Sequence, residues 1–158
     1  MDPKIRFIVI IVAVALGVLV AKNKRHETAS QKWEREHNVT DPGEDPRFKA
    51  AEAEARRRWP EFVTAFNRRR PGDNFAVKAA FKGGENTEWM WVAVTGLNGN
   101  VITGTVDNEP VYVHNVKEGQ SVNINVAETD DWVYKSGSAP MVGGFTSKVL
   151  KQIEGERK

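Results

Sequence analysis

Phe75-Ala76-Val77-Lys78-Ala79-Ala80-Phe81-Lys82 is the stretch where the chain changes period. Before it, apolar residues recur every three or four positions. Within it Phe75, Val77, Ala79 and Phe81 alternate with Ala76, Lys78, Ala80 and Lys82. A period of two is a strand, and the first set is expected to face a core. Gly83-Gly84-Glu85-Asn86 then turns the chain into Glu88-Trp89-Met90-Trp91-Val92-Ala93-Val94. That run is apolar on both faces, as in a central strand with a helix over one side. Asn98-Gly99 supplies a hairpin turn to a strand near Val101 to Val106. Pairing is expected to resume over residues 111–115, after Asn108-Glu109-Pro110. Val122, Ile124 and Val126 alternate with Ser121, Asn123 and Asn125, a strand with one wet face, and Asp131-Trp132-Val133-Tyr134 is a last short strand.

Upstream, Asp45 is placed to cap a helix with Pro46 at its first position, and Phe48, Ala51, Ala55, Trp59, Phe62 and Phe66 follow at helical spacing. That stripe reads as a core seam. Pro60 interrupts it and removes a backbone donor, which predicts a kink or two abutting helices with Pro60 opening the second. Downstream, Val149, Leu150 and Ile153 mark a short helix from Thr146 to Ile153. The whole reads as an α+β fold: a long kinked helix packed on a curled antiparallel sheet of about five to six strands, with a short C-terminal helix.

From Phe7 to Ala21 the chain is uninterruptedly apolar, bounded by Arg6 and Lys22. As a helix these residues reach about 22 Å, short of a hydrocarbon core of about 30 Å, with flanking Lys4, Arg6, Lys22 and Lys24 able to snorkel. A single-pass anchor is favoured over a cleavable signal, because Lys-Asn-Lys-Arg directly after Ala21 is unfavourable for processing. This places the protein at a membrane. The side stays open: the Lys and Arg count leans to a cytoplasmic domain, whereas the charged head before an apolar stretch resembles an export signal. The chain thus divides into a membrane segment at 1–25, a polar tether at 26–46 ending in Thr-Asp-Pro-Gly-Glu-Asp-Pro, and a domain at 47–154.

Charge and composition narrow the function classes. Residues 1–25 hold five Lys and Arg against Asp2, so the other 133 residues carry a net −2 within the overall +2. The basic balance belongs to the leader, and no nucleic-acid partner is expected of the domain. Arg56-Arg57-Arg58 and Arg68-Arg69-Arg70 read as a solvated helix face and helix end. The absence of Cys excludes disulfides, thiolate metal sites and a cysteine nucleophile, and three scattered His residues argue against a metal; no cofactor is expected.

The order and spacing of Phe75-Ala76-Val77-Lys78, Glu88-Trp89-Met90-Trp91-Val92, Gly104-Thr105-Val106-Asp107-Asn108-Glu109-Pro110, Glu118-Gly119-Gln120, Asp131-Trp132-Val133-Tyr134 and Gly143-Gly144-Phe145-Thr146 resemble the YegJ-like bacterial family, domain of unknown function 2314. The resemblance spans about residues 47–153. It implies a compact bacterial domain, found alone or joined to other modules, and carries over no activity, cofactor or catalytic residue.

The candidate binding residues are therefore Trp89, Trp91, Asn108, Asp131, Trp132, Gly143, Gly144 and Thr146. Asp130 and Asp131 together offer a cation site or a raised carboxyl pKa, against a plainer reading in which Asp131 caps a turn and Trp132 packs in the core. Gly143 to Thr146 offers amides for an anion at a helix start, with Thr146 as cap, but lacks the lysine and length of a phosphate-binding loop. Trp89 and Trp91 share a strand face, which is either core or a flat aromatic surface. The wet Ser121, Asn123, Asn125 strand is part of such a surface or an edge open to strand addition. With no complete catalytic constellation, a non-enzymatic binding module for a protein or envelope component leads. The alternatives are a small hydrolase or transferase using Asp131 with the 143–146 loop, which requires those two to meet in one pocket, and an immunity-type protein that caps a toxin.

Overall fold

The computed structural model describes residues 45–156. The apolar stretch at 7–21 and the tether lie outside the described residues, and among the described residues no helix is long and apolar enough to cross a membrane. Helix α1 (Pro46–Arg57) starts as its sequence dictates, with the Asp45 carboxylate accepting from the Arg47 N–H and Pro46 in the first turn. The Pro60 expectation resolves into two abutting helices. Arg58 ends α1, and α2 (Trp59–Asn67) places Pro60 in its first turn, where the missing N–H costs nothing.

Six strands follow: β1 (Asn74–Gly83), β2 (Asn86–Asn98), β3 (Val101–Val106), β4 (Ser121–Asn125), β5 (Thr129–Lys135) and β6 (Val142–Gly143), closed by helix α3 (Phe145–Glu156). The sheet order is β4-β3-β2-β1-β5-β6, every described pair antiparallel. The structure is thus α+β, with helices on a six-stranded antiparallel sheet. Strand β5 lies beside β1 inside the sheet, a larger role than a short last strand.

One sheet face carries the main core. Phe62 and Phe66 of α2 meet Phe75, Trp132 and Tyr134, with Phe62 and Phe75 edge to face at 5.5 Å. Val77, Ala79, Met90, Val92, Ile102, Val106 and Ile124 extend the same cluster across the sheet. A second, smaller cluster of Phe48, Ala51, Val149 and Leu150 joins α1 to α3. Phe81 is only half-buried at the border of the main core.

Two local readings change. Residues 111–115 form no strand: the carboxylate of Glu88, itself buried, accepts the backbone N–H groups of Val111, Tyr112 and Val113 at 2.9–3.2 Å. A side chain thereby satisfies donors that a neighbouring strand would otherwise take. The second concerns Lys78. Alternation puts it opposite the core-facing set, yet Ala76 and Lys78 are as buried as the residues between which they fall. Both faces of β1 are covered.

Candidate functional site

Strand pairing aligns the candidates. Opposed residues of antiparallel strands point to the same face, so Trp91 on β2, Lys78 on β1 and Asp131 on β5 form one row. The β1–β5 register then slips: Lys78 opposes Asp131 but Ala79 opposes Thr129. Asp130 is the extra residue of a bulge, a device that re-aims neighbouring side chains. Here it brings two consecutive carboxylates toward Lys78, where simple alternation would have sent them to opposite faces.

Asp131 is 1% exposed and its two oxygens are fully engaged. Oδ1 accepts from the N–H groups of Trp132 at 2.7 Å and Phe145 at 3.1 Å; Oδ2 accepts from the Thr146 N–H at 2.8 Å and the Thr146 hydroxyl at 2.7 Å. Lys78 Nζ donates to Thr146 Oγ1 at 2.9 Å, so the hydroxyl accepts from the ammonium and donates to the carboxylate. Asp131 therefore caps α3 from a strand 14 residues earlier in sequence. The anion at this helix start is the protein's own side chain. Thr146, expected as the cap, is instead a buried bridge between Asp131 and Lys78.

Gly143 and Gly144 make this approach feasible. Both have positive φ, at 91° and 67°, and a Cβ on Gly143 would lie 2.0 Å from the Trp132 carbonyl oxygen. The Gly144 N–H donates to that same carbonyl at 2.9 Å, pinning the loop to β5. Trp132 fills the core and donates from Nε1 to the Ala55 carbonyl at 2.8 Å. Asn108, 7% exposed, accepts the Trp91 N–H at 2.6 Å where β3 has ended. Trp91 is buried, and half-buried Trp89 hydrogen-bonds Asp130.

Electrostatics follow from burial. Desolvation pushes the Lys78 amine below its ordinary value, opposed by the charges of Asp131, Asp130 and Glu52. Burial likewise raises Asp130, opposed by Lys78, the Trp89 hydrogen bond and Arg56, and it raises Glu52, reinforced by Asp130. Arg56 is the loosest member: its side chain is 59% exposed and its guanidinium lies 3.6 Å from Glu52 and 4.0 Å from Asp130. Among the described residues no group of three or more acidic or His side chains is placed to hold a metal ion.

Beside this cluster opens a cavity of about 270 Å³. Ala55, Arg56 and Trp59 wall it from the helices, Asn125 to Ala127 from the end of β4, and Asp130 to Trp132 from β5. Sequence reasoning singled out Asp131, Trp132 and Thr146 but not Lys78, Arg56 or Glu88. The available signal for Lys78 was its face, shared with Ala76, Ala80, Trp89 and Trp91, which is too apolar for a wet surface.

A bacterial family described as an uncharacterized protein conserved in bacteria, domain of unknown function 2314, matches residues 45–158. The chain belongs to this family. It is 32% identical over 92 residues to the uncharacterized protein YegJ of Escherichia coli (strain K12), covering 58% of this chain and 59% of that protein. It is 35% identical over 68 residues to a putative ankyrin repeat protein of Neisseria meningitidis serogroup B, covering 43% of this chain and 26% of that one. The chain thus spans less than two thirds of either relative. No solved structure matches it. Family membership agrees with the resemblance carried by the residues from Phe75 to Thr146.

Proposed function

We propose that this domain is a non-catalytic binding module, held at a bacterial membrane by residues 7–21, whose ligand is a protein or an envelope component. One observation carries the reading: the residues best suited to chemistry are spent on one another. Asp131 accepts four hydrogen bonds, Thr146 is 1% exposed, and the Lys78 amine is buried against both. A general base or nucleophile must reach a substrate atom, and each of these groups already has its partner inside the fold. The hydrolase reading required Asp131 and Thr146 to meet. They meet as helix cap and bridge: Asp131 lines the cavity, but both of its oxygens and the Thr146 hydroxyl are already hydrogen-bonded inside the fold.

The cavity is the natural contact surface. Its apolar walls with a few convergent polar groups suit recognition, and Arg56 is free to exchange its long ion pairs for a ligand. Affinity capture from detergent-solubilised cells, with the full chain as bait and Arg56→Glu as control, tests the reading. One stoichiometric partner, lost with Arg56→Glu, supports it. A turnover abolished by Thr146→Val in a folded chain overturns it.

A further inference from the structure

Among the described residues, strand β4 is an edge of the sheet that no other strand pairs. Val126 donates its N–H to the Asn100 carbonyl and Val106 donates to the Gln120 carbonyl, which fixes the parity of the ladder. The Gln120 C=O, both backbone groups of Val122 and Ile124, and the Val126 N–H turn to β3; Ser121, Asn123 and Asn125 turn theirs outward. The Asn125 N–H is taken by the Glu128 carboxylate at 3.1 Å. The N–H and C=O of Ser121 and Asn123, and the C=O of Asn125, remain directed off the sheet. Natural edges are blunted by Lys, Pro or bulges. Ser121-Val122-Asn123-Ile124-Asn125 holds no charge and no proline, and it pairs with β3 over five residues without a register shift.

The edge ends at the cavity. Asn125, Val126 and Ala127 close its β4 side, facing Ala55 and Trp59 across about 270 Å³. An extended chain laid along β4 therefore runs its pairing out at Asn125, where Glu128 has claimed the next donor, and delivers its following residue to an apolar pocket. Main-chain pairing with a side-chain pocket at its end is a complete recognition device: the first gives affinity, the second selects.

We propose that β4 receives an extended segment of a partner protein by strand addition, with a large apolar side chain of that segment seated in the cavity against Trp59 and Val126. This deepens the binding-module reading and rests on it. The occupant is a peptide backbone because the unpaired groups at this edge are alternating peptide donors and acceptors.

The test is selection of short random peptides displayed against the full chain, then titration of an enriched peptide on three proteins. Asn123→Pro deletes an N–H that the sheet does not use, so the fold tolerates it and strand addition does not. Asn123→Ala keeps the backbone and changes only the side chain. The expected result is binding that Asn123→Pro weakens about tenfold or more, the scale of one or two lost hydrogen bonds, and that Asn123→Ala leaves unchanged. Methylating successive backbone nitrogens of the peptide gives the same readout without altering the protein: loss at every second residue is expected. Equal loss at all positions, no loss at any, or no enriched peptide overturns the proposal. Binding that ignores both perturbations removes strand addition while leaving the binding module standing, and a substrate turned over by the same chain removes the module itself.

Discussion

Replacing Asp131 by Asn keeps the size of the side chain and removes what holds α3. The amide offers one acceptor oxygen where the carboxylate offered two. Turned one way it faces the Trp132 and Phe145 N–H groups with its NH2; turned the other way it faces the Thr146 N–H. At least one buried donor is left unmet, at about 1–3 kcal/mol. The substitution also removes the negative charge that most offsets the burial of Lys78. Asp131 reaches Lys78 through the Thr146 hydroxyl rather than by a direct ion pair, so the whole effect is expected at about 2–4 kcal/mol, an unmet donor plus a buried ammonium short of its countercharge. Lys78→Met alone costs less, about 1–2 kcal/mol, because Asp131 keeps all four donors. The double variant no longer buries an unpaired ammonium and should fall short of the sum by about 1.5–3 kcal/mol. Urea unfolding of the full chain followed by tryptophan fluorescence reads all four corners, with Trp132 in the core as reporter. Asp131→Asn within about 0.5 kcal/mol of wild type, or additivity to that margin, would refute the reasoning.

The remaining expectations follow from the same contacts. Because the folded Lys78 pKa lies below its ordinary 10.5, the unfolded chain binds the extra proton between the lowered value and 10.5, so stability from this group rises with pH across that window and is flat outside it. Unfolding midpoints of wild type relative to Lys78→Met should climb there, and a falling difference would contradict the burial of an ammonium. Glu88→Gln should destabilise by about 1–3 kcal/mol and speed hydrogen exchange at Val111, Tyr112 and Val113, whose N–H groups it holds; unchanged exchange there would count against the anchor. Gly143→Ala should cost more than about 3 kcal/mol or prevent folding, since its Cβ meets the Trp132 carbonyl at 2.0 Å on a backbone with φ of 91°, and a near-wild-type unfolding midpoint would show that the loop adopts another path.

The helices were legible because a 3.6-residue stripe and a proline leave little choice: Phe48, Ala51, Ala55, Phe62 and Phe66 are all buried and Pro60 falls in the first turn of the second helix, but the stripe is not one seam, since Phe48 and Ala51 pack on α3 and the others on the main core. The hairpins from Phe75 to Val106 were legible for the same reason at period two. Periodicity names the side a residue takes but not whether that side is covered, which is why the burial of Lys78 was not legible. Residues 111–115 carry the alternation of a strand, yet Glu88 supplies acceptors that no local pattern reveals. Strand β6 spans only Val142 and Gly143, too short for any period. Asp131 and Thr146 were both singled out, but their meeting depends on the bulge at Asp130 and the close packing of Gly143 on Trp132. Both are properties of the assembled sheet.

The account turns on whether the Lys78, Thr146 and Asp131 cluster is closed. Acylation of the folded full chain with an amine-reactive ester, quantified at each lysine by mass spectrometry, tests this directly. The account predicts that Lys78 stays unlabelled while the exposed Lys82, Lys117 and Lys148 react, and that Lys78 is labelled only on unfolding. Labelling of Lys78 faster than the exposed lysines would mark an accessible, activated amine, and the cluster would then be a reactive site.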